Sequence, residues 1–349
     1  SRIEHRIPNP GVRGSNPLRG TKKVHKRLKL FELIDVNDLA SLAKIIGGNL
    51  TGENKQFRYI TTDSRKINQN SLFLALLGEK YDGHDFCETA IKAGAQAYIS
   101  TKEIINHSGI VVEDTYLALL KMARYQQQQV NPKTLAITGS NGKTTLKEMV
   151  AHILDGHESI KTKDNENNQF GIPFTVLRLK RETRFLVLEC GARKLGDFDL
   201  ISEYLKFDVL VITNINNSHI EIFENQTNII KTKTKLLDGL RVGGSFIDGA
   251  FEDWGTSDKL MEMNQTFRVN VHHNLEQDSE TKPLTENWNC TVVSGQQEGS
   301  LPGFFGLSFQ QTLSSSSKRF QSPKKMNLGP RHNCHNALLA ILAARELGV

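Results

Sequence analysis

The run Thr138-Gly139-Ser140-Asn141-Gly142-Lys143-Thr144-Thr145 constrains this chain more than any other stretch. It follows a short apolar segment, Thr134 to Thr138, and precedes a segment of helical spacing, so it reads as the turn between a buried strand and a helix. Glycines let the backbone wrap phosphate oxygens, and the free N–H groups of a helix start attract their charge. A lysine at this place reaches the outer phosphates, and a threonine hydroxyl after it can hold Mg2+. Gly139, Ser140, Asn141, Gly142, Lys143, Thr144 and Thr145 are therefore candidate ATP-binding residues. Lys143 is also a candidate catalytic group and Thr144 a candidate metal ligand. The spacing from Gly139 to Gly142 is shorter than in the common GxxxxGK[ST] loop.

Three more short apolar runs follow, Phe185 to Leu188, Val209 to Ile212 and Ser245 to Ile247. Separated by helix-length segments, and continuously apolar rather than alternating, they suit parallel strands buried on both faces. Residues 129–349 are thus expected to form a doubly wound, mostly parallel P-loop ATPase domain.

Residues 28–128 alternate helix and strand patterns of their own. Helical spacing runs over Leu28 to Leu50, with Leu39, Leu42, Ile45 and Ile46 on one side and Asp38 near its start. Strands are expected around Phe57 to Thr62, Ser71 to Leu77 and Gln96 to Ser100, and helices near Phe86 to Ala93 and Asp114 to Gln129. This is a separate N-terminal α/β domain. From Asn270 to Leu328 the pattern weakens, Ser314 to Ser317 is low complexity, and Asn336 to Leu347 reads as an amphipathic helix.

At 349 residues the chain has room for two or three domains, each with its own core. Its net charge of +6 raises the question of nucleic acid, but residues 1–30 hold nine Lys/Arg against the single acid Glu4. That segment exceeds the whole surplus, the remainder is close to neutral, and no nucleic-acid partner is expected. Residues 1–27, rich in Pro, Gly, Asn and Arg without apolar periodicity, read as a disordered basic tail. Cys87, Cys190, Cys290 and Cys334 make no CxxC pair, which fits a reducing, cytoplasmic compartment. No apolar run approaches the roughly 20 residues of a membrane span, so no membrane insertion is expected.

The shortened loop TG-x-NGKTT resembles the ATP loop of the Mur ligase family, and further signatures fall in family order over about residues 60 to 347. Thr62-Asp63-Ser64-Arg65, followed by SLFLAL, Gly78 and Asp82-Gly83-His84-Asp85-Phe86, is similar to the domain that holds the UDP-sugar end of the substrate, which makes Ser64 and Arg65 substrate-binding candidates. Asn165-Glu166-Asn167-Asn168-Gln169-Phe170-Gly171-Ile172-Pro173 resembles the GN-x-NN-x-x-G-x-P segment of the branch that adds D-alanyl-D-alanine. It adds Asn167 and Asn168 to the substrate-binding set.

By the same resemblance, Glu189 in Val187-Leu188-Glu189-Cys190-Gly191-Ala192 binds Mg2+; the alternative is a carboxylate that merely ends a strand. His219 matches a second metal ligand with a catalytic part, although a lone histidine also fits a surface or packing position. Lys233 aligns with a catalytic lysine that the family carbamylates, turning an ammonium into a carboxylate-like anion. The family's Lys-x-Glu is Lys233-Thr234-Lys235 here, and Lys231, Lys233 and Lys235 could instead form a solvated charge run. Arg331-His332-Asn333-Cys334-His335-Asn336-Ala337-Leu338 is similar to G-x-HN-x-x-NALAA, whose polar residues contact adenine, so Asn333 and Asn336 join the ATP-binding candidates.

The resemblance implies an ATP- and Mg2+-dependent amide ligase of peptidoglycan precursor synthesis. The γ-phosphoryl group would move to the terminal carboxylate of UDP-N-acetylmuramoyl-tripeptide, and the amine of D-alanyl-D-alanine would displace phosphate from the acyl phosphate. The expected molecule is a monomer. In the family a third domain follows the NALAA helix, whereas this chain stops at Val349. The chain as given is therefore expected to bind nucleotide with little or no ligation. An inactive fragment, or a sibling amide ligase such as the folylpolyglutamate synthetase type, are the alternatives.

Overall fold

The computed structural model describes residues 30–78, 80–216, 220–249, 267–270, 289–292, 305–308 and 331–349. The expected tail 1–27, His219, the Ser314 to Ser317 run and most of 270–328 lie outside the described residues.

Two sheets organise the described residues. The first holds β1 (Asn49–Thr51), β2 (Tyr59–Thr61), β3 (Ser71–Leu74), β4 (Ala97–Ser100) and β5 (Gly109–Val111) in the order β1-β5-β4-β3-β2. β2 to β5 run parallel and β1 is antiparallel at the edge. Its helices are α1 (Leu39–Ile46) and α2 (Cys87–Lys92), and α3 (Thr115–Val130) leads to the second sheet.

The second sheet is parallel throughout, in the order β11-β10-β9-β6-β8-β7. Its strands are β6 (Lys133–Thr138), β7 (Ser159–Lys161), β8 (Phe185–Glu189), β9 (Phe207–Ile212), β10 (Leu240–Asp248) and β11 (Phe267–Asn270). The helices are α4 (Lys143–Ile153), α5 (Gly171–Val176), α6 (Asp199–Tyr204), α7 (Ile220–Phe223), α8 (Gln226–Thr234) and α9 (Arg331–Glu346). A separate antiparallel pair, β12 (Asn289–Val292) with β13 (Phe305–Ser308), forms where the sequence pattern placed no element.

Continuous apolar strands follow from having helices on both faces. In β8, Leu186 and Leu188 join a core shared with α1, α3 and the first sheet, while Phe185 and Val187 face the opposite way into a core under α4 and α9. Alternate residues of one strand point to opposite faces, so both faces demand apolar side chains. The register pairs Ile137 with Glu189 and Thr138 with Ile212. The loops after β6, β8 and β9 consequently leave from one edge of the sheet, where ligands gather in such folds.

Helix α1 is shorter than its apolar spacing predicts. Asp35 takes a left-handed φ of 58°, and the Asp38 carboxylate caps the helix by accepting from Ser41 N–H at 3.0 Å. Phe31, Leu33 and Val36 are buried all the same, in extended chain, with Phe31 bridged to Ile60. Burial and helical spacing coincided there by chance. Strands β1, β5 and β7, of three residues each, escaped the sequence reading, whereas the equally short β2 was found within the longer extended stretch around Phe57 to Thr62.

Two buried glutamines near the end of α3 fasten it to its surroundings. The Gln126 amide donates to Leu179 C=O at 2.8 Å and Glu32 C=O at 3.2 Å, and its oxygen accepts from Ile34 N–H at 3.1 Å. The Gln127 amide donates to Lys206 C=O at 2.7 Å and to Thr134 Oγ1 at 3.2 Å, and accepts from Lys206 N–H at 3.1 Å. Gln126→Leu would strand backbone groups of both bodies, and it should lower stability by about 1–3 kcal/mol. Urea denaturation measures this, and an unchanged midpoint would show that those groups find other partners.

Candidate functional site

The loop after β6 is held in shape by its neighbours. Gly139 has φ 141°, and a Cβ there would lie 2.0 Å from Thr213 Oγ1; Gly142 has φ 82°, and a Cβ would meet the Asn336 side chain at 2.9 Å. Neither position admits a larger residue. Ser140 N–H donates to Asn214 C=O at 2.9 Å, Asn141 N–H to Asn214 Oδ1 at 2.8 Å, and Asn216 N–H to Ser140 Oγ at 2.9 Å. The segment 213–216 thus braces the loop, and buried Asn336 on α9 closes it from the other side.

Helix α4 begins at Gly142 with no side-chain cap, so its first N–H groups are left for an anion. The Lys143 ammonium donates to its own loop, to Gly139 C=O at 2.7 Å and Ser140 C=O at 3.1 Å. Burial pulls its pKa below the usual lysine value, with Glu189 pulling the other way. Thr144 and Thr145 sit exposed on the first turn.

Glu189, at the end of β8, is 1% exposed. Its Oε1 accepts from the Thr144 hydroxyl at 3.0 Å and from the Asn167 amide at 2.8 Å. Its Oε2 lies 3.1 Å from the ammonium of Lys147, a residue equally buried. A carboxylate this deep stays charged only when matched by cations and donors, and here they come from α4 and from the 162–170 loop. Hydroxyl and carboxylate oxygens are the hard donors that Mg2+ prefers, and the Thr144 hydroxyl and Glu189 Oε1 stand side by side, 3.0 Å apart, while Asn167 turns its NH2 group to the same carboxylate oxygen. The donor set therefore fits that ion. Among the described residues no group of three or more His, Cys, Asp and Glu forms a metal cluster.

The three lysines of α8 and its end part company. Lys231 is exposed, Lys235 pairs with Asp238 at 2.7 Å, and Lys233 is 5% exposed. The solvated-run reading therefore fails for Lys233. Burial, and then the nearby Lys143 charge, bring its pKa down to about 7. Among the described residues no carboxylate pairs with it.

A cleft of about 490 Å3 opens between the two sheets' loops, lined among others by Thr62, Lys80, Tyr81, Asn168, Arg193 and Lys194. Of the substrate-binding candidates, Asn168 lines it, and its Oδ1 also accepts from Gly171 N–H at 2.9 Å. Asn167 turns instead to Glu189. Ser64 and Arg65 do not line the cleft; the Arg65 guanidinium is exposed and paired with Asp63 at 2.8 Å. The side chain of Asn333 lies outside the described residues. Sequence reasoning passed over Lys147, Arg193, Lys194 and the brace at Asn214. Only Lys147 left a signal, as a cation between Leu146 and Val150 on the apolar side of a helix.

Residues 137–344 match the Mur ligase middle domain, and residues 56–132 match the catalytic domain of the Mur ligase family. The chain is 38% identical over 217 residues to the UDP-N-acetylmuramoyl-tripeptide--D-alanyl-D-alanine ligase of Haemophilus influenzae, covering 60% of this chain and 48% of that protein. It is 36% identical over 217 residues to the Bacillus subtilis protein of the same name, covering 61% of this chain and 48% of that one. The chain thus spans about half the length of the curated relatives it matches. Among solved structures it is similar to MurF from Acinetobacter baumannii, with a TM-score of 0.67 at 26% identity over 90% of this chain and 66% of the other.

The Lys233 pKa makes a prediction about stability. Since folding lowers it, the unfolded chain holds more protons between about pH 7 and the ordinary lysine range, so stability rises with pH across that window. The penalty is fully present below pH 7 and fades above it. Lys233→Met should flatten the rise, by about 1.4 kcal/mol for each unit of depression. Urea unfolding of both proteins at pH 6 and pH 9 would measure it, and equal slopes would mean the amine is not buried alone.

Proposed function

The chain belongs to the Mur ligase family, and from that membership we propose that it holds ATP and UDP-N-acetylmuramoyl-tripeptide for amide ligation with D-alanyl-D-alanine. The observation that carries this reading is the Glu189 corner. Thr144 from the nucleotide loop and Asn167 from the loop that also lines the cleft converge on one buried carboxylate. ATP and the acceptor carboxylate would then meet at a single edge of the sheet.

In this reading the backbone N–H groups from Gly139 to Thr145 cradle the phosphates. Lys143 exchanges its loop carbonyls for the outer phosphate oxygens and offsets the charge that builds there. Thr144 and Glu189 would hold Mg2+, with His219 as a second metal ligand by the family resemblance, and an ion held there would supply positive charge to offset the transferring phosphoryl group; Asn167 steadies Glu189 by donating to its Oε1. By the family resemblance Asn333 and Asn336 would contact the adenine, and Asn336 lies beside Gly142 of the loop. The γ-phosphoryl passes to the tripeptide carboxylate as ADP leaves, and the dipeptide nitrogen then bonds to the acyl carbon as phosphate leaves. The cations of the cleft, Lys80, Arg193 and Lys194, suit the diphosphate of a UDP-linked substrate, with Asn168 beside them; Ser64 and Arg65, outside the cleft lining, belong to that end by the family resemblance alone.

Lys233 suits carbamylation because only a neutral amine adds to CO2, and a pKa of about 7 leaves much of it neutral in the physiological range. The product would be an anion facing Lys143, which relieves the repulsion between the two ammonium groups.

Calorimetry tests the reading. The chain should bind ATP in a Mg2+-dependent manner and bind the UDP-linked tripeptide; failure to bind either would overturn it. Lys143→Ala should weaken ADP binding by roughly ten- to a hundredfold, the worth of a charge-assisted hydrogen bond of about 1.5–3 kcal/mol. Unchanged affinity would remove the loop from the site.

A further inference from the structure

Lys147 has no part in the function described so far. The phosphate-facing lysine of the loop is Lys143, four positions earlier, while Lys147 lies on the buried side of α4 with its side chain 1% exposed. An ammonium out of water is costly unless it is matched. Its partners are Glu189 Oε2 at 3.1 Å, Glu148 Oε1 at 3.5 Å and Asp164 C=O at 3.4 Å. Glu189 Oε2 is buried and makes no aligned hydrogen bond, so the ammonium holds it by charge.

The two oxygens of Glu189 are thereby given different partners. Oε1 faces Thr144 and Asn167, the side on which a cation would be held. Oε2 is occupied by a fixed positive charge, and a second cation drawing on both oxygens would have to approach it. A carboxylate held in this way can give one oxygen only.

That distinction separates divalent ions. Mg2+ takes single oxygens in a near-ideal octahedron at ~2.0–2.1 Å, whereas Ca2+ takes 6–8 oxygens at ~2.3–2.6 Å and readily uses both oxygens of a carboxylate. We propose that Lys147 sets the cation specificity of the site, by keeping Glu189 a one-oxygen ligand that accepts Mg2+ and rejects Ca2+. The proposal rests on Glu189 being a metal ligand, as read above. Lys147 acts through Glu189 and is a positioning residue.

The test is ADP binding by calorimetry to the full chain, with Mg2+ or Ca2+, for the wild type and for Lys147→Met, whose stem is similar in length and uncharged. The wild type should bind ADP at least about tenfold more tightly with Mg2+ than with Ca2+. In Lys147→Met that ratio should shrink by about threefold or more, chiefly through tighter binding with Ca2+. Circular dichroism checks that the variant is folded.

Should it not fold, infrared difference spectra of the wild type with each ion, referenced to Glu189→Gln, keep the question open to refutation. The Glu189 bands should show one-oxygen coordination with Mg2+, and two-oxygen coordination would overturn the proposal. Equal ADP affinity with the two ions in the wild type, or an unchanged ratio in Lys147→Met, would also overturn it while leaving the nucleotide site intact. Binding indifferent to any divalent ion would instead remove Glu189 from the metal site, and the proposal with it.

Discussion

A charged carboxylate buried at the end of a central strand has to be answered from every side, and the site of this protein is arranged around that need at Glu189. The strand supplies the carboxylate, α4 supplies the Thr144 hydroxyl and the Lys147 ammonium, and the loop before α5 supplies the Asn167 amide. Three separate stretches of chain meet there. Removing the Lys147 ammonium or the Asn167 amide would leave the buried carboxylate short of a partner, so the corner depends on all of them together.

The parallel sheet makes the convergence possible. Because β6 pairs with both β8 and β9, the loops after the three strands share an edge although β6 ends 51 residues before β8 ends and 74 before β9 ends (189 − 138 and 212 − 138). α3 carries the first sheet to this edge, and the stacking of Phe31 on Phe174, with ring centroids 5.2 Å apart, seals the junction. The cleft lies between loops of both bodies, and its cations, Lys80 from one and Arg193 and Lys194 from the other, become a single surface only in the folded chain.

Much of this was legible beforehand, for reasons that differ by element. The second sheet could be read because its strands are apolar on both faces and the glycine loop fixes where one strand must end. The helix start at Asp38 could be read because a short acidic side chain before a periodic segment has a local partner, and the helix expected from Asp114 begins at Thr115 with Asp114 as its cap. Contacts between distant segments could not. Asn214 bracing the loop and the buried state of Lys233 depend on which strands become neighbours, and nothing near those residues in sequence reports it; Lys147 shows only its place on the apolar side of a helix, not its partner Glu189. Lys231, Lys233 and Lys235 make the point clearly: three similar side chains at alternate positions meet water, the interior and Asp238 in turn.

The close seating of Gly139 against Thr213 and of Gly142 against Asn336 bears on what kind of object the nucleotide loop is. Its backbone is moulded by a strand end more than 70 residues later and by a helix nearly 200 residues later, so its shape is not encoded within its own eight residues. Transplanted alone into another strand-turn-helix scaffold, the same octapeptide would lack its mould. The portable unit is the whole sheet edge, and recombination that exchanges such loops between proteins would have to carry all three segments together.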